Sequence, residues 1–215
     1  MHFKKKLGLG LTALTLAAAA HADVVFTEGF DNLATSGWVT TNLSSPAGAS
    51  WDQGLGSPSM VAQSGAGTSY AQATFLSALN GIGSVDNWLI SPVITLGGSS
   101  TLTFYARTEN QTGFADTFNV LFSAGSSSAT SSFTAVATSI VASTAGWTQY
   151  TINLPSAATG RIAFEYAVAD AGNANALGID TVAVTTVSAV PEPATYGLMA
   201  MGLMGLAMLR RRSAA

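Results

Sequence analysis

The chain has 215 residues, of which 48% are hydrophobic and only 9% charged, with a formal net charge of −3. It contains no cysteine, and its three lysines and two histidines all lie within the first 21 residues. Beyond that point a Ser-His-Asp or Cys-His constellation, a lysine nucleophile, a lysine-bearing phosphate loop and the usual zinc, copper and haem sites are excluded, which leaves carboxylates for acid-base work or for binding hard cations.

The first element is a targeting segment. Lys4-Lys5-Lys6 precede an apolar stretch from Leu7 to Ala20, and Ala20-His21-Ala22 fits the small-x-small cleavage rule. This layout predicts a signal peptide over residues 1–22, removed by signal peptidase after Ala22. Residues 23–190 then carry ten acids against Arg107 and Arg161. So acidic a surface excludes nucleic acid, which needs several cationic phosphate contacts, and argues against anionic lipid. An exported chain without disulfides rests on its core, on a metal, or on both.

Residues 23–188 have the length of one domain. Gly, Ser, Thr and Ala are abundant, and short apolar-polar alternations recur between turn residues. Strands are predicted at 24–30, 38–42, 69–75, 86–90, 101–107, 117–123, 147–154, 161–168 and 179–187. The alternation gathers Leu102, Phe104 and Ala106 on one face, as it does Phe118, Val120 and Phe122, and Ile162, Phe164, Tyr166 and Val168. These faces predict an all-β sandwich with a two-sheet core, linked by small polar loops at 44–48, 65–69, 97–100 and 124–132.

The tail, 189–215, stacks three signals. Pro191-Glu192-Pro193 is a stiff, extended peptide, residues 195–209 are an apolar helix, and Arg210-Arg211-Arg212 form a basic stop on the cytoplasmic side. The helix is slightly short for a membrane core. In this order the tail resembles the PEP-CTERM sorting signal of Gram-negative bacteria. The resemblance implies an exosortase as partner, transient anchoring in the inner membrane through the helix, processing near the motif, and delivery to the cell envelope, outer surface or extracellular matrix. An ordinary C-terminal membrane anchor is the alternative.

Thr27-Glu28-Gly29-Phe30-Asp31, Gly37-Trp38, the run Asp86-Asn87-Trp88-Leu89-Ile90-Ser91-Pro92, Trp147-Thr148-Gln149-Tyr150 and Gly178-Ile179-Asp180-Thr181-Val182 follow one another in the chain. In this order they resemble the choice-of-anchor J and cleaved-adhesin group of extracellular domains. The resemblance implies a jelly-roll-like antiparallel β-sandwich with a structural or adhesive role at the surface or in a biofilm matrix, without catalysis. Thr181 departs from the pattern, because an acid is common there.

Period-two alternation puts Glu28 on the face of Phe26 and Phe30, and Asp180 on the face of Val182 and Val184. A core-facing carboxylate needs a partner. Glu28 and Asp180, with Asp31, are therefore candidate ligands of one structural Ca²⁺. The alternative is that they cap loops at strand ends. Asp86 is either a ligand-edge acid or a turn residue. Among Trp38, Trp51, Trp88 and Trp147, Trp51 lies in a Gly- and Ser-rich stretch and is the candidate for stacking on a sugar. A cell-surface carbohydrate-binding module, with extracellular polysaccharide as partner, is thus the alternative function. A carboxylate-dependent glycoside hydrolase using Glu109 and Glu165 is a third reading, which requires the two carboxyl groups to lie about 5–9 Å apart.

Overall fold

Alternating β-branched and aromatic residues form twelve strands among the residues described by the computed structural model. These residues are 22–114 and 116–188, with Gly197, Met199, Met201, Gly202, Leu203, Leu206 and Arg210 of a C-terminal helix. Ala20, Pro191, Glu192, Pro193, Arg211 and Arg212 lie outside the described residues. No described helix is long and apolar enough to cross a membrane. The described residues of 22–188 belong to one compact unit.

The strands are β1 (Ala22–Glu28), β2 (Val39–Asn42), β3 (Asp52–Gln53), β4 (Ala71–Thr74), β5 (Val85–Ile90) and β6 (Ile94–Thr95). They continue with β7 (Gly98–Thr108), β8 (Thr117–Ala124), β9 (Thr134–Val141), β10 (Thr148–Leu154), β11 (Thr159–Val168) and β12 (Ala176–Ser188). One sheet runs β10-β7-β12-β4-β3, with β1 also on β12, and the other runs β2-β5-β11-β8-β9, with β6 also on β11. All pairings are antiparallel. The long β12 pairs with β7 along one edge; along the other it pairs first with β4, over residues 176–179, and then with β1.

The core lies between the sheets. Leu102, Phe104 and Ala106 of β7 face Phe118 and Val120 of β8 and Ile162, Phe164 and Tyr166 of β11, all fully buried. The Phe104 ring meets Phe164 edge-on at 4.8 Å and stacks on Tyr150 at 5.2 Å. Each such side chain contributes about 1.5–3 kcal/mol by leaving water. A second, smaller cluster of Met60, Tyr70 and Ala176, with Trp147 packed against it, lies on the far face of the first sheet under the 54–70 segment. It needs Gly178, because a Cβ there would lie 2.8 Å from the Met60 sulfur and 2.9 Å from the Trp147 ring.

Three strands are not foreseen from the sequence. β3 and β6 have two residues each, and β9 is a largely exposed edge strand with irregular register against β8 and a left-handed Ser139 at φ 52°. Such a strand carries no clean period of two.

The expected face of Asp180 is also corrected. Asp180 pairs with Tyr105 and Ala183 with Thr103, so Thr181 and Val182 together oppose one residue of β7. Thr181 takes φ 49°. This β-bulge resets the alternation. Val182 and Val184 face the core, whereas Asp180 points to the other side of the sheet, under the 54–70 segment. Glu28 pairs with Val182 and keeps the parity of Phe26, as alternation predicts.

Candidate functional site

The end of β1 and the bulge of β12 border a pocket of about 280 Å³, lined by Glu28, Gly29, Asp31, Ser64, Gly65 and Thr181 among others. Two bulky residues beside it sit in the left-handed region, Phe30 at φ 51° and Thr181 at φ 49°. Strain of this kind costs about 1–3 kcal/mol per residue and persists where the surroundings over-determine it. Local carboxylates hold both turns. Glu28 Oε1 accepts the Phe30 N–H at 2.7 Å, and Asp180 Oδ1 accepts the Thr181 N–H at 2.5 Å. Asp31 Oδ1 accepts the Ser69 hydroxyl at 2.7 Å.

The three candidate metal ligands therefore do different work. Glu28 and Asp31 line the pocket. Asp180 does not line it; it is fully buried, and its Oδ2 accepts the Gln63 and Ser64 N–H groups at 2.7 and 3.2 Å. Burial pushes the Asp180 carboxyl up from the usual aspartate range, and these N–H groups pull against that shift. Among the described residues no three His, Cys, Asp or Glu side chains gather as a metal-binding group.

Trp51 presents no exposed ring face, although it borders the cleft at the β3–β4 edge. It is 5% exposed and belongs to the core, and its indole N–H donates to the Asn87 carbonyl at 3.0 Å. The chain enters β3 with Trp51 turned between the sheets, a direction that loop-like composition does not reveal. Trp38 packs with Phe26, Phe30 and Phe164, and Trp88 packs edge-on to Phe133. Trp147 lies part-buried against Tyr70, under the Arg107 guanidinium. Asp86 is a strand residue whose carboxylate accepts the Trp88 indole N–H at 2.6 Å.

Glu109 and Glu165 do not face one another. Glu109 follows β7 of the first sheet and accepts from Ser59 at 2.6 Å. Glu165 lies on the outer face of the second sheet and accepts from the Asn119 amide at 2.7 Å. Burial pushes the Glu165 carboxyl up, the nearby Asp86 adds to this, and Asn119 opposes it. A raised folded value means that Glu165 adds stability that is complete below the unfolded value of about 4.3 and is lost as pH rises through the folded value. Glu165→Gln should therefore melt above the parent at pH 7 and level with it near pH 4. A variant that melts lower at pH 7 would show the carboxylate to be stabilising there.

Sequence reasoning passed over two residues. Asp116, 1% exposed, accepts the Thr108 and Tyr166 hydroxyls and the Asn175 N–H at 2.7 Å. Gln72 is buried on β4 beside Asp52. Neither stands in a motif; only pairing reveals them.

The described domain is thus a two-sheet antiparallel sandwich with strained turns at the end of its first strand and within its last, and with most of its aromatic side chains packed inside. The family model of the cleaved adhesin domain matches residues 24–184, and that of the PEP-CTERM protein-sorting motif matches residues 189–212. The chain belongs to the cleaved adhesin domain family and carries a PEP-CTERM sorting motif; it is an exported cell-surface protein of adhesin type. The K3 cleaved adhesin domain of Lys-gingipain from Porphyromonas gingivalis is 24% identical, with a TM-score of 0.62 over 77% of this chain and 99% of that one. The K1 domain of the same protein is 24% identical, with a TM-score of 0.61 over 74% of this chain and 96% of that one. The CBM22-1 xylan-binding domain of Paenibacillus barcinonensis Xyn10C shares the fold at 14% identity, with a TM-score of 0.51 over 80% of this chain and all of that one. No curated protein sequence matches the chain.

Proposed function

We propose that the protein is a non-catalytic adhesive component of the cell surface and biofilm matrix, released there after exosortase processing. The observation that carries this reading is the order of the two matches, an adhesin domain over 24–184 followed directly by a sorting motif over 189–212. The intact mass of the protein from its native host tests it. A species that begins at Asp23 and ends between Pro191 and Thr195, recovered outside the inner membrane, is expected. A species that runs through Ala215 and stays in the inner membrane would make the tail a plain anchor and end the matrix reading.

Glycan binding is a second reading. It is supported by the sandwich shared with a xylan-binding domain, and the ligand here is extracellular polysaccharide.

The pocket between β1 and the β12 bulge is proposed to take a structural Ca²⁺. Its lining supports this with two carboxylates, Glu28 and Asp31, no basic side chain, and strained turns on both sides. Asp180 acts behind the pocket by fixing Thr181. Two carboxylates imply weak binding, in the range of about 10⁻⁴–10⁻³ M known for extracellular modules. At about ten times the dissociation constant, calcium adds roughly 1.4 kcal/mol, which raises the melting temperature by about 3–5 °C over EDTA. Glu28→Gln with Asp31→Asn should abolish the difference. Equal melting of the parent chain in calcium and in EDTA would remove the site.

A further inference from the structure

We infer that the cleft at the β3–β4 edge of the first sheet is a subsite for a neutral, hydroxyl-rich sugar unit. The inference rests on the glycan-binding reading and gives it a place. The cleft measures about 450 Å³ and is lined by Ser50, Asp52, Gln72 and Thr74, with Leu55 and Leu76 at its rim. This volume falls in the range of roughly 300–1,000 Å³ usual for small-ligand sites.

Asp52 and Gln72 are direct partners across β3 and β4, so their side chains project from the same face. Gln72 is 7% exposed. Its Oε1 accepts the Leu55 N–H at 3.4 Å, a group that can only donate, and this sets the orientation of the amide. The Tyr70 hydroxyl lies 3.3 Å from the same oxygen and gives its proton to the Met60 carbonyl at 3.0 Å. The Gln72 Nε2 then makes no hydrogen bond among the described residues. Nor is that atom sealed from solvent, because Trp38 Nε1 is the sealed side-chain polar atom left without a partner there. A buried amide with an unused donor that opens into a cleft asks for an acceptor from a ligand.

The neighbouring groups define that ligand. Asp52 is exposed and offers a carboxylate, so donor and acceptor stand side by side. A sugar hydroxyl satisfies both, donating to Asp52 and accepting from Gln72. Thr74 and Ser50 also line the cleft, with their hydroxyls bonded to the Leu76 N–H and to Asn87 Oδ1. Leu55 and Leu76 are 75% and 45% exposed, and they offer an apolar rim to the C–H face of a ring. No basic side chain lines the cleft, so an anionic sugar would meet Asp52 without a counter-charge.

Affinity electrophoresis of the full chain in mild detergent tests this. The gels are cast with hydroxyethyl cellulose or galactomannan, and with polygalacturonate as the anionic counterpart. Retardation by a neutral polysaccharide and none by polygalacturonate is expected, and Gln72→Leu and Asp52→Ala should each weaken it about tenfold. Neutral retardation unchanged in both variants would overturn the subsite while leaving glycan binding in place. No retardation by either neutral polymer, or retardation by polygalacturonate alone, would overturn the subsite and the glycan reading together. Asp52 is exposed, so Asp52→Ala decides the matter even if Gln72→Leu fails to fold.

Discussion

Asp116→Ala is expected to lower the unfolding free energy by about 3–5 kcal/mol, because three donors lose their acceptor. The Asp116 carboxylate joins the two sheets. It accepts the hydroxyl of Thr108, at the end of β7 in the first sheet, and that of Tyr166, in β11 of the second. It also accepts the N–H of Asn175, just before β12. Its own carbonyl accepts the Ala142 N–H at 2.9 Å, which ties in the chain after β9. Alanine leaves the backbone bond but strands two hydroxyls and an amide in a region closed to water, at about 1–3 kcal/mol for each group left unpaired. The Tyr166 phenol stays protonated. Burial pushes that phenol far up, and Asp116 pushes it further. Domains of this size are stable by only about 5–15 kcal/mol, so the loss is a large share of the total. Urea unfolding should show the midpoint falling by about 1–2 M with the slope unchanged. A fall below about 0.5 M would mean that water re-enters and satisfies the stranded groups.

Asp180→Asn is expected to cost about 2–4 kcal/mol, nearly as much as alanine, although asparagine has the same shape. The reason is the polarity of the partners. Oδ1 accepts the Thr181 N–H, and Oδ2 accepts the N–H groups of Gln63 and Ser64. The Thr181 hydroxyl gives its proton to Gln63 Oε1 at 2.7 Å. These three backbone partners are all donors, so an amide NH₂ in either orientation meets an N–H group head-on. The consequence should be local before it is global. Gln63 and Ser64 belong to the segment that covers Met60, Tyr70 and Gly178, so this cover loosens first. Amide hydrogen exchange should speed up over residues 57–70, and over the Thr181 bulge, at urea concentrations where β7 and β11 remain protected. If Asp180→Asn matched the parent while Asp180→Ala did not, shape rather than acceptor chemistry would be what the site requires.

The two acids also mark where reading along the chain stops. The sandwich was legible because a period of two is a local property. Leu102-Phe104-Ala106 and Ile162-Phe164-Tyr166 declare their face without knowledge of any partner strand. Asp180 defeated the same rule because one left-handed residue, Thr181, inserts a bulge, and nothing in Gly-Ile-Asp-Thr-Val announces it. Trp51 defeated a composition rule, since Gly and Ser around a tryptophan are compatible with either a loop tip or a tight turn into the core.

The sequence by itself determined the sorting motif and the residue types that the domain lacks. Its basic and apolar ends, its Pro-Glu-Pro tail and the absence of cysteine, histidine and lysine from residues 23–190 are facts of order and composition. They do not depend on how the chain folds. The tertiary structure decided which carboxylates meet. Glu28 and Asp31 share a pocket, Asp180 stands behind it as a backbone clamp, Asp116 joins the sheets, and Asp52 is set beside Gln72. Each of these meetings depends on strand register and on a single bulge. Shifting a strand by one residue sends every side chain to the opposite face, and no local pattern fixes that shift between segments more than a hundred residues apart, such as Gln63 and Asp180.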